Sequence, residues 1–165
     1  TGDGGGKTTA ALGLALRGVG QGQKVIVIQF MKGRKDIGEF KIQKKLGKNY
    51  KLYQFGRKTF VNLRKPSKAD YKLAKSGLDF AKKAIKTEKP KLLILDEVNI
   101  ATSIGLLPEK EVLEFLKNIP STTDVVLTGR CAPASFIKIA DGVSEIKKIK
   151  HAFEAGVPAR RGIEY

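Results

Sequence analysis

The run Val25-Ile26-Val27-Ile28 is β-branched and uninterrupted, the pattern of a strand buried on both faces. Leu92-Leu93-Ile94-Leu95 and Val125-Val126-Leu127 have the same character. Residues 51–55 and 143–149 are weaker strand candidates, the second with a partly exposed alternation. Between these runs, apolar positions return at helical spacing over 8–19, 67–86, 108–117 and 133–140. Ser67 is placed to cap the longest of them, and Pro108 and Pro133 suit first-turn positions, where a missing N–H costs nothing. Strands alternating with helices predict an α/β fold, a mostly parallel sheet with helices on both faces and right-handed connections. In such a sheet ligands bind beyond the carboxyl ends of the strands. Glycines and basic residues mark 31–39 and 56–66 as loops. No repeat or long linker divides the chain, so 1–165 reads as one domain that includes the 150–165 tail.

A chain of 165 residues can bury a core of its own, and 41% hydrophobic with 29% charged residues excludes a disordered chain. No apolar run approaches the roughly 20 residues that span a bilayer, and no signal peptide is visible. Cys131 is the single cysteine, which excludes an internal disulfide and fits a reducing compartment; the expectation is cytoplasm, with no membrane partner. Net charge is +16, and between residues 32 and 68 thirteen Lys/Arg face only Asp36 and Glu39, a local excess of +11. Such a stretch is compatible with a polyanion partner, but a solvated lysine-rich surface explains it equally simply. Its interleaved aromatics have no spacing that marks an RNA-binding motif, and no nucleic-acid partner is expected.

Thr1-Gly2-Asp3-Gly4-Gly5-Gly6-Lys7-Thr8-Thr9 opens a helical pattern and reads as a phosphate-binding loop, one residue tighter than the common form. Glycines let consecutive amides converge on phosphate oxygens, and the helix that follows adds its dipole. Lys7 is then the phosphate-neutralising cation and Thr8 the hydroxyl offered to Mg²⁺ (or Mn²⁺). Such a loop normally follows a buried strand, so a few residues carrying that strand are expected ahead of Thr1. About 90 residues later Asp96 and Glu97 end an apolar strand, where a P-loop protein needs an acid near its metal; Glu97 is preferred as ligand, with Asp96 beside it. Thr128-Gly129-Arg130 ends another strand on the same side of the sheet, and Arg130 suits phosphate or a neighbouring acid. These pieces predict a P-loop NTPase-like, RecA-like fold. They leave open a nucleic-acid-stimulated ATPase, a small-molecule kinase or another nucleotide-using transferase.

Further segments narrow that choice. Val27-Ile28-Gln29-Phe30-Met31-Lys32-Gly33, Ala140-Asp141-Gly142-Val143-Ser144-Glu145, Lys150-His151-Ala152-Phe153-Glu154-Ala155-Gly156 and Gly162-Ile163-Glu164-Tyr165 accompany the loop, Asp96-Glu97 and Thr128-Gly129-Arg130 in a fixed order. Together they resemble the P-loop type of ATP:corrinoid adenosyltransferase, from end to end and least well over 34–90. The compact loop is itself part of that family's pattern. The resemblance implies that cob(I)alamin attacks C5′ of ATP, forming adenosylcobalamin and releasing triphosphate. The nucleophile is then the corrinoid, so the protein positions its substrates and stabilises charge. It further implies that Gly2, Asp3, Gly4, Gly5, Gly6, Lys7, Thr8, Thr9 and Arg130 surround the triphosphate, and that Thr8 with Glu97 or Asp96 holds Mg²⁺. A homodimer and a flavoprotein-like electron donor are implied as partners. Phe55 and Phe60 are the nearest match to the family's corrinoid-covering aromatics. The family often has lysine where this chain has Gly5, which predicts weaker triphosphate binding or slower transfer. No role follows for His151.

Overall fold

A computed structural model describes the whole chain except residues 60, 151–153, 155, 164 and 165. Four parallel strands form one sheet: β1 (Val25–Phe30), β2 (Tyr50–Phe55), β3 (Leu92–Asp96) and β4 (Asp124–Leu127), in the order β2-β1-β3-β4. The register sets Gln29 of β1 opposite Asp96 of β3, and Leu95 opposite Leu127 of β4. β1 and β3 are buried at every position, as their unbroken apolar runs require of central parallel strands. The expectation of a mostly parallel α/β sheet therefore holds.

Successive strand residues point to opposite faces, and each face has its own helices. Ile26, Ile28, Phe30, Leu93 and Leu95 meet α4 (Lys68–Glu88), α5 (Val98–Ser103) and α6 (Glu109–Lys117), with Phe136 of α7 (Ala134–Ile139) at the margin. Val25, Val27, Leu52, Leu92 and Ile94 meet α1 (Lys7–Gly20), while Phe40 of α2 (Gly38–Lys41) and Leu46 of α3 (Gln43–Leu46) close that side. Each fully buried Ile or Leu is worth about 2–3 kcal/mol of transfer free energy, so two apolar faces make this sheet the centre of the molecule. A 3₁₀ turn (Gly47–Asn49) leads into β2.

Three sequence expectations are corrected. Residues 143–149 form no strand; the segment instead makes a short ladder with the phosphate loop, with Ile146 N–H donating to Thr1 O (2.8 Å) and Gly4 N–H to Ile146 O (2.7 Å). Pro108 and Pro133 stand one residue before their helices, at the N-cap, where extended backbone suits the residue ahead of a first turn. The loop expected over 31–39 gives way to α2 at Gly38, and α3 and the 3₁₀ turn follow before β2, pieces too short to show a period. Ser67 does cap α4: its Oγ accepts from Asp70 N–H, and Asp70 accepts from Ser67 N–H (2.8 Å), a complete capping box.

Asp70 also accepts two hydrogen bonds from Arg57, at 2.8 and 3.1 Å, tying the loop after β2 to the start of α4. The Arg57 guanidinium, then the Ser67 donors, hold the Asp70 carboxyl at about 2 despite its burial. Asp70→Ala is expected to cost about 2 kcal/mol in urea denaturation near neutral pH, through the lost cap and the stranded Arg57. The folded pKa lies below the unfolded one, so this stability is present above about pH 4. Wild type and variant should therefore converge as the pH falls toward about 2. A difference that persists unchanged at acid pH would place the effect in helix packing and not in the carboxylate.

Candidate active site

The carboxyl ends of β1, β3 and β4 converge on the start of α1. Glycine is required in the phosphate loop for two reasons. Gly2 and Gly6 have φ of 96° and 99°, which side-chain-bearing residues rarely adopt. A Cβ on Gly2 would stand 2.5 Å from the Ile146 carbonyl oxygen, and one on Gly4 2.8 Å from it. The loop and the 144–147 segment are thus in backbone contact, and α1 starts at Lys7 with its N-terminal dipole toward the loop.

Beside this loop lies a cavity of about 1080 Å³ whose wall includes Gly4, Gly5, Gly6, Lys7, Thr8, Thr9, Lys32, Glu97 and Arg130. Its lining also includes the apolar Leu12, Leu16, Ile42, Leu46 and Ile163, with Lys147, Lys148 and Lys150. A lining that combines cations and loop amides with apolar side chains suits a ligand that is part polyanion and part flat ring. Asp3 lies on the exposed face of the loop and does not line the cavity.

Asp96 is the best-connected group in the site and is fully buried. Its Oδ1 accepts from Thr8 Oγ1 (2.8 Å) and Thr128 Oγ1 (2.6 Å), and its Oδ2 from Gln29 Nε2 (3.0 Å) and Lys32 Nζ (2.8 Å). Lys32 Nζ also donates to Thr8 Oγ1 at 3.1 Å. Burial opposes the Lys32 charge, but the Asp96 carboxylate, with Glu97 and Glu39 near it, outweighs burial and holds the ammonium's pKa above its ordinary value. Gln54 Nε2 extends the network to Gln29 Oε1 (2.9 Å).

Glu97 behaves differently from its neighbour. Its backbone is left-handed (φ 65°), a conformation that costs a side-chain-bearing residue roughly 1–2 kcal/mol, held here because Glu97 N–H donates to Thr128 Oγ1 (2.9 Å). The kink turns the carboxylate into the cavity, where it accepts no hydrogen bond from a described residue. Burial first, then the Asp96 charge, pushes its pKa up, against the pull of Lys32, Lys7 and Arg130. Folding thus favours the protonated acid, and ionisation costs stability as pH rises from about 4.5 through the folded value. Glu97→Gln is accordingly expected to melt higher than wild type at pH 7, and the gap should close as the pH falls to about 4.5. An equal gap at both pH values would contradict a buried carboxylate.

Lys7 has its ammonium over the loop, donating to Gly4 O at 2.6 Å, and burial lowers its pKa, with Glu97 opposing and Arg130 adding. Arg130 is exposed on the same rim, after Gly129 (φ 128°). Phe55 sits elsewhere: its ring packs on Phe80 with centroids 5.4 Å apart, within the α4 face of the core. Phe60 and His151 lie outside the described residues, and so does much of the tail motif. Cys131 is exposed, with positive φ, next to Arg130.

Sequence reasoning missed Gln29, Lys32 and Thr128 as site residues. A glutamine inside an apolar strand, and a lysine just beyond it, were visible signals. Their partner is 67 and 64 residues away in the chain, so only the pairing of β1 with β3 joins them. Of the basic stretch, Lys32, Arg34, Lys51 and Arg57 are engaged by Asp96, Asp36, Glu88 and Asp70. Among the described residues no helix is long and apolar enough to cross a membrane.

The family model described as ATP:corrinoid adenosyltransferase BtuR/CobO/CobP matches residues 1–165. The chain is 37% identical to a corrinoid adenosyltransferase of Sinorhizobium sp, over all of this chain and 78% of that protein. It is 36% identical to the corrinoid adenosyltransferase of Escherichia coli K12 and 35% identical to corrinoid adenosyltransferase CobA of Salmonella typhimurium LT2, each over all of this chain and 83% of the relative. With a glycine-rich loop, a strand-end carboxylate pair and a cavity of mixed polar and apolar lining assembled at the carboxyl ends of the strands, the chain belongs to the ATP:corrinoid adenosyltransferase family.

Proposed function

We propose that the protein transfers the 5′-deoxyadenosyl group of ATP to the cobalt of a reduced corrinoid, cob(I)alamin, yielding adenosylcobalamin and triphosphate. The observation that carries this reading is the cavity lined by Lys7, Thr8 and the loop glycines together with apolar side chains, in a chain of this family. The cobalt centre supplies the electron pair for the new Co–C bond, and the C5′–O bond breaks with its pair going to triphosphate. No protein nucleophile is needed. The chain's work is to hold ATP so that C5′ faces the corrinoid and to stabilise the leaving triphosphate.

In this reading the amides of Gly4, Gly5 and Gly6 with Lys7 take the phosphates, Arg130 closes on them from β4, and Leu12, Leu16 and Ile42 give adenosine or corrin an apolar wall. A divalent cation suits the oxygens of Thr8 and Asp96, since the cationic group of Lys32 already sits against both. Among the described residues no cluster of three or more His, Cys, Asp or Glu side chains suits a metal ion. Mg²⁺ or Mn²⁺ would therefore draw most ligands from phosphate and water, and would neutralise charge on the triphosphate. Glu97 faces the cavity and suits a water-mediated contact with that cation. Phe55 keeps its core contacts here; a flavoprotein-like reductant, a homodimeric assembly and a cytoplasmic location complete the proposal.

Anaerobic incubation of the protein with chemically reduced cob(I)alamin, ATP and Mg²⁺, followed by absorbance and phosphate-product analysis, tests it. Light-sensitive adenosylcobalamin formed one-to-one with triphosphate is expected. ADP without a corrinoid product would discard the reading in favour of an ATPase or a kinase.

A further inference from the structure

The Lys32 ammonium bridges the two side chains that a P-loop site offers to a divalent cation: its Nζ lies 3.1 Å from Thr8 Oγ1 and 2.8 Å from Asp96 Oδ2. We propose that Lys32 competes with a divalent cation for these oxygens, and pairs with a phosphate of the nucleotide once the cation holds them. The inference rests on the reading of this site as one for a nucleoside triphosphate.

Two cations cannot share that spot. A metal ion at about 2.1 Å from the same oxygens would stand well inside the contact distance of an ammonium about 3 Å from them, with unscreened repulsion in a largely buried setting. One of them must leave. The backbone of Lys32 is not the part that moves. Met31, just before it, is left-handed (φ 59°) and bonded through its N–H to Phe55 O (3.0 Å). Gly33, just after it, is so close to the next loop that a Cβ would lie 2.3 Å from Gly56 O. The four-carbon side chain is free to turn, since it is 30% exposed and lines the same cavity as the phosphate loop. A lysine is a compact charge on a flexible stem, and with a nucleotide on Lys7 and the loop amides its phosphate oxygens would join Glu97 and Glu39 as the anions within reach in that cavity. Carboxylates of Asp96, Glu97 and Glu39 all act on this one ammonium. The exchange keeps them neutralised whichever cation is in contact. Lys32 is in this view a positioning residue for the triphosphate, acting opposite Lys7.

The test uses Mn²⁺ alone, with free ion counted by electron paramagnetic resonance, on the full chain without nucleotide. Lys32→Met is expected to bind Mn²⁺ about tenfold more tightly than wild type, because its competitor is gone. Lys147→Met removes the same charge from the same cavity without touching Asp96 or Thr8, and should change Mn²⁺ affinity by no more than about threefold. A merely structural Lys32 would give unchanged or weaker Mn²⁺ binding on removal, and that result overturns the proposal. Lys32→Gln keeps a donor for Asp96 without the charge and carries the same expectation, should Lys32→Met fail to fold. Calorimetry of wild type with Mg²⁺ and ATP separates the two readings. Nucleotide binding combined with an indifferent Mn²⁺ affinity sinks the Lys32 exchange alone, whereas absence of ATP binding sinks the nucleotide site and the exchange with it.

Discussion

Lys7→Ala is expected to lower the rate of corrinoid adenosylation by about 10²- to 10³-fold, the usual penalty for removing a preorganised group that meets developing charge. Breaking the C5′–O bond places a further negative charge on a triphosphate that is already an anion, and the Lys7 ammonium stands over the loop to which the proposal assigns it. That charge is greater in the transition state than in bound ATP, so kcat should fall more than KM rises. The side chain is only partly buried and its one hydrogen bond is to Gly4 O, so stability should change by no more than about 0.5 kcal/mol. The measurement is steady-state kinetics with saturating cob(I)alamin, alongside thermal melting of the variant. A loss confined to KM would show that Lys7 binds ATP uniformly and takes no part in stabilising the leaving group.

Asp96→Ala should be the most damaging single change to the fold, at about 3–5 kcal/mol in urea denaturation. One carboxylate satisfies four donors, and its removal strands the Lys32 ammonium, two hydroxyls and a buried amide together. Against a total of roughly 5–15 kcal/mol for a domain, such a loss removes a large part of the margin. Most of the cost belongs to the unpaired Lys32 charge, so Asp96→Ala combined with Lys32→Met should recover a substantial share of it. A double-mutant cycle on the two positions measures that coupling. Strict additivity would mean that the ammonium finds water or another acid when Asp96 is gone, and that the network is weaker than its geometry.

On the proposed function, the apolar side chains of the cavity lining would meet the adenosine or the corrin. Leu16 and Ile163 are exposed, at 60% and 69%, beside the polar loop, whereas the core-facing side of α1 is sealed by Ala11 and Ala15. Small residues bring that face of α1 down onto β1 and β3, and the larger Leu12 and Leu16 line the cavity. The same helix thus serves the core with one stripe and the cavity with the other.

By itself the sequence determined the parallel α/β plan, the glycine-rich loop ahead of α1 and the position of the carboxylate pair at the end of β3. Strands buried on both faces must be unbroken apolar runs, α4 must show a helical stripe, and a loop of glycines before Lys7 and Thr8 has few other uses. Each is a local pattern, visible within one stretch of chain. The family resemblance was legible for the same reason, as ordered motifs that do not depend on contacts. What only the tertiary structure decided is which distant groups meet. The register of β1 against β3 sets Gln29 beside Asp96, and the left-handed turns at Met31 and Glu97 bring Lys32 onto Asp96 while sending Glu97 into the cavity. Sequence spacing could not tell the surroundings of Glu97 from those of Asp96, because adjacent residues differ only through backbone angles that no spacing reveals. Residues 143–149 had the alternation of a strand, yet among the described residues their backbone bonds go to Thr1 and Gly4 of the glycine-rich loop. Helix α5 was invisible because five of its six residues are buried, which erases the amphipathic period. Local chemistry is carried by residue order, whereas pairing between segments is settled by the packing of the sheet.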